Sequence, residues 1–110
     1  MTTPRPGRPA RGTRSGRPVM VLLDLLGRRM TLRILWELSR EAPLTFRALQ
    51  NAAGTNPALL NARLKELRAA KLVVHGGKGY ALSEKGQTLL RLLFPVIDWA
   101  DRWAAGLKKS

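Results

Sequence analysis

Residues 45–68 read TFRALQNAAGTNPALLNARLKELR, and the rest of the chain can be placed around them. Thr45 stands where an N-cap belongs, because its side-chain oxygen can accept from a first-turn backbone N–H that has no helical partner. Phe46, Leu49 and Ala53 follow at helical intervals until Gly54, the residue type that most easily closes a helix. This predicts a short, mostly buried helix of about two turns. Asn56 and Pro57 then give a second start signal, Asn as the N-cap and Pro at the first helical position, where its missing N–H is not needed. Beyond them Leu60, Leu64 and Leu67 form an apolar stripe at i, i+4, i+7. Asn61, Lys65 and Arg68 fall away from that stripe, and Arg63 lies on its flank. A short helix, a glycine-containing turn and a longer helix over 57–70 with a polar, basic outer face have the organisation of a helix-turn-helix.

Upstream, residues 19–26 are densely apolar between Pro18 and Gly27, which predicts a short first helix with more apolar surface than a small core needs. Residues 30–40 place Ile34, Leu35 and Leu38 at helical spacing, with Arg33 and Glu37 able to pair on the outer face, and Pro43 ends this helix. Downstream, Leu72-Val73-Val74 and Tyr80-Ala81-Leu82 read as two short strands around a turn rich in glycine, with Lys78 in it. A basic hairpin directly after such a helix is what a wing looks like in sequence. Ser83 then caps a last helix, with Glu84 near the positive end of its dipole. Leu89, Leu90, Leu92, Leu93, Val96, Ile97, Trp99 and Trp103 cover more than one face of it, and Pro95 either kinks it or splits it in two.

The fold expected is therefore mostly α with a small β-hairpin, a winged helix-turn-helix. Val21, Leu22 and Leu25 of the first helix, with Leu93, Val96, Ile97, Trp99 and Trp103 of the last, are read as the surface on which two copies pair. The competing reading is that both helices close a monomer core.

The chain has 110 residues, 20 Lys plus Arg against 7 Asp plus Glu, and a formal charge of +13. That length fills one modest core. The charge implies an anionic partner, for which nucleic acid, an anionic membrane and an acidic protein are all candidates. Residues 1–18 carry arginines 5, 8, 11, 14 and 17 among Pro, Gly, Ser and Thr and cannot bury a core. They read as a disordered basic arm, drawn electrostatically to DNA or simply a solubilising tail, ahead of a domain over 19–110. Without the arm's five arginines the domain keeps 15 basic against 7 acidic groups, a charge of +8. There is no cysteine, so cysteine-ligated metals and thiolate nucleophiles have no residues to work with, and the single histidine, His75, makes His-rich metal sites and Ser-His-Asp chemistry unattractive. The reading is of a chain that is not an enzyme, with no metal site and no cofactor. No stretch approaches the roughly 20 apolar residues of a membrane span, so a membrane is not expected as a partner and the nucleoid of a reducing cytoplasm suits it.

These pieces together resemble the HxlR-type family of bacterial winged-helix regulators, relatives of the MarR-like regulators. The resemblance runs from about Arg17 to Trp103 through Gly27-Arg28-Arg29-Met30-Thr31-Leu32, Phe46-Arg47-Ala48-Leu49, Asn56-Pro57, Leu64-Lys65-Glu66-Leu67, Leu72-Val73, Tyr80-Ala81-Leu82-Ser83-Glu84-Lys85-Gly86 and Asp98-Trp99-Ala100-Asp101-Arg102-Trp103. The chain departs from the pattern in three places. Arg17 stands where the family often has cysteine, which excludes thiol-based sensing. Met30 replaces the usual tryptophan. The hairpin is shorter, so the wing should reach less far.

The resemblance implies a homodimer that places two copies of the 57–70 helix in successive major grooves of double-stranded DNA, about 34 Å apart, over an inverted repeat. Asn56, Ala58, Asn61, Ala62, Arg63 and Lys65 are then the base-contact candidates: Asn61 for adenine edges, Arg63 for guanine edges and the alanines for thymine methyls. Arg28, Arg29, Thr45, Arg47, Arg68 and Lys78 are the phosphate candidates. Each has a plainer reading: Arg63 as an ion-pair partner of Glu66 or Glu37, Ala58 and Ala62 as helix formers, the remaining polar groups as a solvated face, and His75 as a hairpin residue. Trp36, Trp99 and Trp103 either pack in core and interface or line a pocket for a small-molecule effector of unknown identity. The alternative function is a weakly specific nucleoid-associated or protein-interaction winged helix; an RNA-binding role is weakened by the lack of exposed aromatic residues for stacking.

Overall fold

Pro18, whose ring presets φ for a first helical position, opens helix α1 (Pro18–Leu26). The computed structural model describes residues 16–109, so the basic arm expected over 1–18 lies outside the described residues up to position 15. Met30, in the left-handed conformation at φ 72°, delays the start of α2 to Thr31, and this helix runs Thr31–Arg40. Then come α3 (Phe46–Ala53) and α4 (Pro57–Ala69), the antiparallel hairpin β1 (Val73–Gly76) and β2 (Gly79–Leu82), and α5 (Glu84–Lys109). The architecture is the mostly helical winged helix-turn-helix with a two-strand hairpin that the periodicities predict.

The core is built where helix stripes converge. Ile34 and Leu35 of α2, Leu49 of α3, and Leu60 and Leu67 of α4 have no exposed surface at all. Burying each such side chain stabilises the fold by about 1.5–3 kcal/mol. Leu25, Leu26, Leu38, Leu44, Ala53, Leu64, Val73, Tyr80, Leu82 and Leu90 complete the cluster, so every element contributes.

The hairpin is fastened to the helices at its root. Val73 pairs with Leu82 and His75 with Tyr80, and a two-residue turn, Gly77-Lys78, joins the strands. Tyr80 also exchanges two backbone hydrogen bonds with Leu44, at 2.7 and 2.9 Å, so the segment leading into α3 is stitched to β2. Glycine is needed at position 79 for two reasons: its φ is +131°, and a Cβ there would collide with the Leu44 carbonyl. Wing and helix-turn-helix are thereby one unit.

Five expectations are corrected. Helix α3 is not mostly buried: only Leu49 and Ala53 are, because it meets the core along one edge. Strand β1 starts at Val73 and not at Leu72. Lys71 turns left-handed at φ 65°, and Leu72 is held by hydrogen bonds to Leu67 and Ser83. Arg33 and Glu37 do pair, at 2.7 Å, but the Glu37 carboxylate is buried and only Arg33 faces outward. Pro95 does not divide α5, which is one helix of 26 residues. Finally, Val21 and Leu25 are only 4% and 3% exposed within the chain, so neither offers surface to a second copy. The helical period puts Val19 and Leu23 on the opposite side, and with Met20 they form the exposed apolar face of α1. On α5, Val96, Ile97, Trp99 and Trp103 are exposed as expected, while Leu22 and Leu93 are half-buried against the core.

Candidate nucleic-acid interface

The turn between α3 and α4 is determined by its capping chemistry. Thr45 Oγ1 accepts from the Ala48 N–H at 3.1 Å, and Asn56 Oδ1 accepts from the Leu59 N–H at 2.8 Å. Gly54 adopts the left-handed conformation, while its N–H reaches the Asn51 carbonyl and the Thr55 N–H the Gln50 carbonyl, the pairing of a Schellman motif. Each of these helix ends thus has an orphan group satisfied locally, and three residues turn the chain from α3 into α4.

With Leu60, Leu64 and Leu67 turned inward, the opposite face of α4 presents Ala58, Asn61, Lys65 and Arg68 to solvent, and Ala62 is half-buried at its edge. Arg29, before α2, and Arg47, on α3, are also exposed, and Lys78 stands at the tip of the wing. Among the described residues none of Arg29, Arg47, Lys65, Arg68 and Lys78 takes part in an ion pair. These positive charges are not neutralised within the fold and remain open to an anion. Thr45 is exposed, with its hydroxyl proton still available for donation. Asn56 keeps only its amide nitrogen, since the cap occupies its oxygen.

The structure commits two arginines elsewhere. Glu66, on the flank of α4, is buried and accepts from Arg28 at 2.8 Å and from Arg63 at 2.9 Å. Arg28 also reaches Asp24 of α1 at 3.3 Å, and Arg63 Nε donates to the Arg29 carbonyl at 2.9 Å. With side chains only 11% and 14% exposed, Arg28 and Arg63 form an internal network that ties α4 to the α1–α2 corner. This moves Arg63 away from guanine edges and Arg28 away from phosphates. The Arg63–Glu66 pair was legible as i, i+3 spacing. Arg28–Glu66, 38 residues apart, had no sequence signal.

Of the aromatic residues, His75 stacks on Tyr80 across the hairpin with ring centroids 4.0 Å apart. Trp36 meets Phe94 edge-on at 6.1 Å and lines an apolar groove between α2 and α5 with Leu32, Leu93 and Ile97. Trp99 and Trp103 do not line it but stack on each other, exposed, on α5.

A helix-turn-helix with its polar face outward and a wing tied to its side is a geometry that comparison can test. The family model for winged helix-turn-helix DNA-binding domains matches residues 28–74, from the turn before α2 into β1. An uncharacterized HTH-type transcriptional regulator of Methanocaldococcus jannaschii is 30% identical over 89 residues, which covers 76% of this chain and 83% of the relative. The chain belongs to the winged helix-turn-helix transcriptional regulators. Among solved structures, the quinone-bound YodB from B. subtilis superposes on this regulator with a TM-score of 0.72 at 28% identity, over 76% of this chain and 96% of that one. DNA is accordingly the partner class of the regulator, and α4 occupies the second-helix position of the motif. Among the described residues no helix of the regulator is long and apolar enough to cross a membrane.

Proposed function

We propose that this regulator binds double-stranded DNA sequence-specifically as a homodimer, laying α4 of each protomer in a major groove over an inverted repeat, in the manner of the HxlR-type branch it resembles. The observation that carries this reading is the outward face of α4. Among the described residues Asn61 and Lys65 stand there without side-chain partners, flanked by two alanines small enough for close approach. Asn61 pairs with adenine edges, Lys65 with a base or phosphate, Ala58 and Ala62 meet thymine methyls, and the amide of Asn56 donates at the helix start. Arg29, Thr45, Arg47, Arg68 and Lys78 hold phosphates on either side. The second copy covers Val96, Ile97, Trp99 and Trp103 of α5 with Val19, Met20 and Leu23 of α1, an apolar face that water would otherwise wet. The protein then works at the nucleoid, in the cytoplasm. The groove beside Trp36 is where the fold has room for a small apolar effector.

The charge of +13 favours a second reading, in which the protein coats DNA with little sequence preference. Selection from a random duplex pool, followed by titration of the selected and a scrambled duplex at two salt concentrations, separates the two. The regulator reading expects a specificity gap of about 4–10 kcal/mol that survives the salt change. Affinities that fall together for all sequences overturn it. Sedimentation of the free protein at micromolar concentration checks the dimer.

A further inference from the structure

Beyond the outward face of α4 the surface turns a corner into a concave groove bounded by the last turns of α4, by β1 and by the first turn of α5. Four cations stand around it: Lys65 and Arg68 from α4, Lys71 from the loop after it, and Lys85 from α5. None of them forms an ion pair among the described residues, and the single carboxylate in the groove is Glu84. Ala69, Val73 and the exposed Val74 line it beside these charges, together with His75 and Ser83.

From this we propose that the groove is a second backbone site, in which Lys71 and Lys85 hold a stretch of deoxyribose-phosphate strand flanking the base-contact region. The inference rests on the regulator reading above and extends its footprint to two residues that neither capping nor helix periodicity singled out. Two arguments favour a nucleic-acid strand over an acidic polypeptide. Position is the first: Lys65 and Arg68 lie one and two turns beyond Asn61 on the same face of α4. Because the N-terminal part of a recognition helix reads the bases, its C-terminal turns rise past the rim of the major groove, where the phosphates run. The second is chemical pattern. A nucleic-acid strand alternates anionic phosphates with apolar sugar faces, and the groove is lined by four cations interspersed with apolar side chains.

The test is the salt dependence of binding to a selected duplex. Lys71→Asn suits the left-handed backbone at that position, since asparagine tolerates it, and Lys85→Gln keeps a good helix former. Lys108→Gln/Lys109→Gln removes the same charge from the far end of α5. Each phosphate contact contributes about 0.9 to the slope of log K against log salt, so Lys71→Asn/Lys85→Gln should lower it by about 2 per protomer with the sequence preference unchanged. The far-end variant should leave the slope within a few tenths of wild type. Equal slopes for the two variants overturn the site while leaving the regulator reading intact. The site also fails if a poly-glutamate peptide binds wild type, and not Lys71→Asn/Lys85→Gln, without displacing DNA, because the groove is then an acidic-peptide surface. Wild-type protein that binds no duplex overturns both readings. Circular dichroism melting of each variant confirms that a folded protein is being compared.

Discussion

Glu66 holds two guanidinium groups at once, and the balance of charge around it determines what each neighbouring substitution does. Glu66→Ala leaves Arg28 only Asp24 and Arg63 only the Arg29 carbonyl, both with little access to water, and removing one partner of a buried pair typically costs about 3–5 kcal/mol. Urea unfolding should show that loss directly. Asn61→Ala is expected to behave in the opposite way. Asn61 is exposed, with no side-chain hydrogen bond among the described residues, so the unfolding midpoint should stay put while affinity for the selected duplex falls by about 1–3 kcal/mol. A specific-binding loss for Arg63→Ala that exceeds its stability loss would put Arg63 back among the base-reading residues. Thr31 tests the polar balance of the core differently: its side chain is fully buried and its hydroxyl has no hydrogen-bond partner among the described residues. Thr31→Val keeps the shape and removes the unsatisfied group, so thermal unfolding should show a gain of about 1 kcal/mol.

At the scale of the element, side-chain contacts to the backbone fix where the two long helices start. Ser83 Oγ accepts from the Gly86 N–H at 3.0 Å and donates to the Lys71 carbonyl at 2.6 Å, which seats the start of α5 on the loop leading into the hairpin. The seat is tight enough that a Cβ on Gly86 would collide with the carbonyl oxygen of Leu72. Gly86→Ala should therefore push α5 off the hairpin and cost about 1–3 kcal/mol in a thermal melt, although alanine is the better helix former. Gly106→Ala, later in the same helix, meets nothing within 4 Å and should stabilise by a few tenths to about 1 kcal/mol. The opposite signs of the two substitutions separate tertiary contact from propensity. For α4, loss of the Asn56 cap in Asn56→Ala should cost about 1 kcal/mol of stability.

Over the whole molecule, the radius of gyration of 15.0 Å exceeds the roughly 13 Å of a compact chain of this length, because α5 runs on past the core with nearly every residue after Leu90 exposed. An extended helix with Val96, Trp99 and Trp103 uncovered is unstable in water on its own account, and a second copy is the occupant proposed for it. Val96→Glu/Trp99→Glu should sediment as a monomer with unchanged circular dichroism. Its affinity for an inverted repeat should fall at least about 100-fold, while affinity for a single half-site stays near that of the wild-type protomer. A variant that stays dimeric would assign the pairing to another surface. Deleting residues 1–15 removes four arginines and should weaken binding to selected and random duplexes alike, with a flatter salt slope. A changed sequence preference on deletion would instead give the arm a part in readout.

Elements and their order were readable from local chemistry. Thr45, Gly54, Asn56 and Pro57 each satisfy or omit backbone hydrogen bonds within their own turn, and the leucines of α4 declare their face by spacing alone, so no distant residue is needed to place them. Asn61, Lys65 and Arg68 were legible as the outward face for the same reason. Folding in three dimensions decided which charges remain available. Arg28 looks like Arg47 in sequence, yet Glu66, 38 residues further along the chain, holds it, and the groove around Lys71 and Lys85 takes its shape from the start of α5 being seated on the loop after α4. Charge and contact between residues far apart in the chain depend on distance in space, and neither helical periodicity nor capping chemistry carries that distance.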